Sequence, residues 1–73
     1  LPLADILDLT AEAARLNKEL SEVTAEIEKI SRKLENPGFI AKAPEEIVAE
    51  NRRRLDEENV RLNTLIKALD RLQ

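Results

Sequence analysis

The side chains able to do chemistry in this 73-residue chain are overwhelmingly carboxylates and cations, with no cysteine and no histidine among them. Thiol nucleophiles, disulfides, soft metal ligands and a proton shuttle tuned near neutrality are therefore missing. The paired carboxylates Glu45-Glu46 and Glu57-Glu58 are the remaining candidates for acid–base work. Neighbours on an exposed helix have no pocket to separate their pKa values, so they argue for solvation rather than catalysis. The cations are more informative. Residues 29–54 carry Lys29, Arg32, Lys33, Lys42, Arg52, Arg53 and Arg54 against four glutamates, a local charge of +3. Residues 1–28 stand at −5 and residues 55–73 at −1, which recovers the overall −3. A basic patch inside an acidic chain suits phosphate recognition at one place only. Three consecutive arginines on a helix fan over roughly 200°, more than one acidic row can satisfy, so at least one of Arg52, Arg53 and Arg54 is expected to reach outward. The alternative, that these cations pair with glutamates one turn away as ordinary solvated helix surface does, stays open.

Those residues need elements to hold them. Apolar side chains recur at Leu9, Ala13, Leu16, Leu20, Val23, Ile27, Ile30 and Leu34, steps of four and three that make a heptad seam. Asp8 reads as its N-cap, and Asn36-Pro37-Gly38 as its end, because proline disfavours helix in the residue before it and cannot donate. The first helix is thus expected over about 9–35. A second, over about 44–72, starts at Pro44 with Glu45 and Glu46 against the positive end of its dipole, and carries a seam at Val48, Leu55, Leu62 and Leu69 that Leu65, Ile66 and Leu72 widen near the C-terminal end. Residues 36–43 are too few for anything but a turn, so the two stripes must fold back on each other. The expected fold is all-α, a two-helix antiparallel coiled-coil hairpin over residues 8–73. Residues 1–7 fit neither heptad and read as an extended lead-in from a preceding domain. The opening Leu1 is consistent with a piece of a longer protein.

Charged residues make up 37% of the chain and Phe39 is its sole aromatic, a balance suited to long exposed helices around a narrow seam. Phe39 is expected to plug the end of that seam, with stacking on an unpaired base as the alternative. Asn51 and Asn59 fall near the second seam and read as register-fixing or exposed amides. No apolar run approaches the ~18 residues that span a bilayer, and no signal peptide is visible, which points to the cytoplasm. A single thin seam leaves a hairpin this small marginal, and self-association of the isolated hairpin is compatible with that.

The run Asn36-Pro37-Gly38-Phe39-Ile40-Ala41-Lys42-Ala43-Pro44-Glu45-Glu46-Ile47-Val48, between helices of these lengths and after a lead-in of Leu1-Pro2-Leu3, Ile6 and Asp8-Leu9, resembles the C-terminal coiled coil of bacterial valyl-tRNA synthetases. The resemblance covers essentially the whole chain. It implies a non-catalytic arm that grips the outer corner of tRNA, where the D and T loops meet, for a valine–tRNA ligase whose catalysis lies elsewhere. ATP and magnesium would serve that parent and not this fragment, where signatures of the HIGH and KMSKS type are absent. It implies tRNA as partner, not DNA or a membrane. Lys33, Lys42, Arg52, Arg53 and Arg54 surround the family's turn motif, and with Lys29 and Arg32 they are the candidates for RNA contact. Whether tip or shaft meets the RNA stays open; Arg15, Lys18 and Arg61 would serve a shaft contact. The competing reading is a protein-docking or dimerisation hairpin of a translation-associated factor, which salt dependence separates from an RNA grip.

Overall fold

In a computed structural model, which describes residues 3–72, the chain is a rod with extents of 58 × 14 × 14 Å. α1 runs over Leu3–Glu35, α2 over Pro37–Lys42 and α3 over Glu45–Arg71, and α1 packs along α3. This is the antiparallel helical hairpin that the seams demand. Its deepest side chains are Leu16, Val23 and Ile30 on α1 with Val48 and Leu65 on α3, flanked by half-buried Leu20, Ile27, Leu62 and Leu69. Each buried α1 residue is seven from the next, so the first seam is set by the a positions alone.

Three local features depart from the expectation. First, α1 begins at Leu3, so residues 3–7 are helical rather than extended and Asp8 lies inside the helix instead of capping it; Leu1 and Pro2 lie outside the described residues. Nothing between Leu3 and Thr10 breaks a helix, and Asp5 sits in the first turn against the dipole, so helix propensity carries on where the heptad stops. Second, the eight-residue connection is not plain turn. Asn36 and Ala43 each precede a proline and take extended conformations, with ψ of 111° and 144°. These are the two corners of the reversal. Between them Pro37 fills the first turn of α2, the Asn36 side chain accepts from the Gly38 amide at 2.9 Å, and the Ala43 N–H donates to the Phe39 carbonyl at 2.8 Å. Phe39 on this short helix is half-buried. Third, Pro44 is the cap residue of α3 and not its first turn.

The second seam is carried as much by its second row as by its first. Leu55, Leu62 and Leu69 are only half-buried, while Asn51 and Leu65, from the row three residues away, are buried. A helix of about 3.6 residues per turn drifts against a strict seven-residue repeat, which brings this second row under the partner. Asn51 satisfies its amide inside its own helix, donating to the Ile47 carbonyl at 2.8 Å, whereas Asn59 is exposed. A buried amide without a cross-helix partner costs stability relative to leucine. Asn51→Leu is therefore expected to raise the thermal midpoint, by about 1 kcal/mol of stability, and to loosen the preference for one register. Thermal melts with sedimentation of the variant check both; an unchanged or lowered midpoint would contradict the placement of Asn51 in the seam.

Candidate nucleic-acid interface

The hairpin brings the end of α1 beside the start of α3, so the cations of residues 29–54 gather at one end of the rod. They are not equivalent once the ion pairs are drawn. Arg53 is held within its own helix by Glu50 and Glu57, one turn before and one turn after it. Arg54 reaches across the hairpin to Glu26 on α1, 2.8 Å away. Arg32 pairs with Glu28 one turn earlier. Among the described residues no carboxylate lies within 4 Å of Lys29, Lys33, Lys42 or Arg52, and all four are exposed. Of the arginine triplet, then, Arg52 alone reaches outward unpaired. Consecutive helical side chains diverge by about 100°, which sends Arg54 to α1, Arg53 along its own acidic neighbours and Arg52 to neither.

The shaft is organised otherwise. Arg15 is bracketed by Glu12 and Glu19, and Arg61 lies 3.8 Å from Glu19 across the hairpin. Of the three shaft candidates only Lys18 has no carboxylate within that range among the described residues. The Arg54–Glu26 and Arg61–Glu19 pairs share one register, each pair of numbers summing to 80, and they lie along the same side of the rod. Sequence reasoning grouped all seven tip cations together; pairing across the hairpin is a tertiary fact that no local spacing reveals.

Hydrogen bonding from Arg53 holds the Glu50 carboxyl below the usual carboxylate range, and Arg15 does the same to Glu12. The same bonds push both guanidiniums up, so Arg15 and Arg53 stay charged throughout. A carboxyl with a lowered folded pKa adds stability above its unfolded pKa and loses it as pH falls through the folded one. Both pairs lie at the surface, so the change in stability is small. In an NMR carboxyl titration Glu12 and Glu50 are expected to titrate below an ordinary glutamate, and Arg53→Gln should return Glu50 alone to that range; a Glu50 indifferent to the substitution contradicts the pairing.

Among the described residues no three carboxylates gather into a metal site, and no helix is long and apolar enough to cross a membrane. Among the described residues the arrangement is a narrow helical rod, an arm, with four unpaired cations gathered near its turn. The chain belongs to the valyl tRNA synthetase tRNA binding arm family, whose model matches residues 8–73. It is 58% identical over 55 residues, three-quarters of its length, to the valine–tRNA ligase of Carboxydothermus hydrogenoformans. It is 47% identical over 99% of its length to that of Caulobacter vibrioides, and 48% over its whole length to that of Mesorhizobium japonicum. The chain spans only 6–8% of the length of these ligases. No solved structure matches it.

Proposed function

We propose that this chain is the auxiliary RNA grip of a valine–tRNA ligase, holding the outer corner of tRNA through the free cations of its tip, Lys29, Lys33, Lys42 and Arg52. The observation that carries the reading is their lack of carboxylate partners, set against an acidic opposite end: cations already neutralised within the protein release few counterions from RNA, and these four are not neutralised. Arg32, neutralised by Glu28 one turn earlier, contributes little by the same rule. Arg53 and Arg54 hold the tip in shape instead. The tip thus takes the place of the shaft as the contacting part.

Contacts of this kind read the sugar–phosphate backbone and the shape of the corner, so the arm adds affinity with little selection among tRNAs. Valine activation, with its ATP and magnesium, falls to the remainder of the cytoplasmic parent ligase. A tRNA titration of the 73-residue chain at two salt concentrations tests the reading. Steeply salt-dependent binding supports it, with a log–log slope near −0.7 to −0.9 for each phosphate met. Binding indifferent to salt would favour an apolar docking hairpin, and absence of binding at low salt would remove the grip.

A further inference from the structure

The end of the rod opposite the turn carries an apolar surface that the hairpin does not explain. Five of the eight large apolar side chains exposed among the described residues lie there: Leu3, Ile6, Leu7 and Leu9 on α1, and Ile66 on α3. By the register of the two cross-hairpin ion pairs, Leu9 stands opposite Arg71, the last residue of α3, so residues 3–8 of α1 run past that helix. Leu9 belongs to the seam row. Leu3 and Leu7 do not: at about 100° per residue Leu7 lies half a turn round α1 from Leu16, and Leu3 nearly as far. They are 71% and 59% exposed and point away from α3. A helix laid in the seam would leave them bare. Separately, an open groove between the helices is lined by Leu20, Ile66 and Leu69 with Lys67 and Asp70 at its rim.

We infer that this apolar base is a docking face for the body of the same ligase polypeptide, fixing the direction in which the arm points. The inference rests on the reading of the chain as part of a larger ligase. Relatives of which this chain spans about 8% supply ample polypeptide to cover the patch. RNA is the wrong occupant, because the carboxylates of Asp5 and Asp8 stand exposed among these leucines and would repel phosphate. Contiguous exposed apolar side chains rimmed by charge mark protein contacts. A covered base turns the arm into a rigid lever whose tip cations are presented to tRNA already aimed, so less freedom is lost on binding.

Hydrogen exchange compares the full-length ligase with the 73-residue chain, and the double variant Leu3→Ser/Leu7→Ser is made in both. The amides of residues 3–10 are expected to exchange at least about tenfold more slowly in the ligase, as docked helix does. In the variant ligase the KM for tRNA should rise about tenfold with kcat retained, since the aim and not the chemistry is lost. The same substitutions in the 73-residue chain should leave its tRNA affinity and salt slope unchanged. Equal exchange in chain and ligase, or an unchanged KM in the variant ligase, overturns the inference. So does a 73-residue chain that sediments as a dimer dispersed by the substitutions, which would assign the patch to a second copy. A chain that binds no tRNA at all would instead sink the grip, while the exchange comparison still decides the docking.

Discussion

The triple variant Lys33→Glu/Lys42→Glu/Arg52→Glu is expected to lose tRNA binding by more than about a hundredfold at moderate salt, with a log–log salt slope shallower by about two to three. Each of these cations is exposed and, among the described residues, has no carboxylate within 4 Å, so each has its whole charge to give to a phosphate. The variant Arg53→Gln/Arg54→Gln removes two charges beside Arg52 and tests, charge for charge, whether pairing, and not proximity alone, decides the contact. Its slope should move by well under one unit per charge, because those guanidiniums already hold Glu50, Glu57 and Glu26. Its melting point should fall slightly instead, exposed ion pairs being worth roughly 0.2–1 kcal/mol. Titrations of both variants against the unsubstituted chain, at two salts and with helicity monitored, separate the possibilities. Equal losses per unit of charge changed in the two variants would show that pairing is irrelevant and that the arginine triplet acts as one patch.

Ile30→Ala is expected to unfold most of the isolated chain at room temperature. Ile30 is 2% exposed and lies near the tip end of the first seam. Truncating a fully buried isoleucine to alanine costs about 2–5 kcal/mol, and a single seam in so small a scaffold supplies only about 3–5. The loss also reaches function, since Lys29 and Lys33 on α1, Lys42 on α2 and Arg52 on α3 are held together only by the packing of three elements. Far-UV ellipticity followed against urea measures the effect, with Val60→Ala as control: Val60 is 67% exposed, and its truncation should change stability by no more than about 0.5 kcal/mol. A variant at Ile30 as stable as that control would mean that the hairpin is held by something other than its seam.

Much of this was legible in the sequence, and for a physical reason. A seven-residue apolar repeat can bury its stripe only against another such stripe, and a short connection leaves only the antiparallel hairpin, so fold and topology follow from Leu16, Val23, Ile30 and the prolines at 37 and 44. The family could be recognised from the turn motif, because a stretch of prolines, glycine and cap residues is specified locally. What escaped sequence reasoning was each feature set by helix geometry apart from the repeat. The start of α1 at Leu3 was hidden because propensity sustains a helix that the heptad no longer marks, and α2 because a cap and two residues before proline suffice for a turn and a half.

The residues of the arm thus determined by themselves that it is a charged helical hairpin, basic at its tip and acidic at its base, with no histidine or cysteine for catalysis. Only the tertiary structure decided which of the tip cations remain free. Glu26 is 28 residues from Arg54 in the chain and 2.8 Å from it in the fold, and no spacing rule anticipates a partner on another helix. The same holds for the base, where leucines that read as a mere lead-in prove to form a helical face turned away from the seam. Charge and pattern are carried by single residues and survive in the sequence; neutralisation and cover are relations between distant residues, and exist only once the helices have closed on each other.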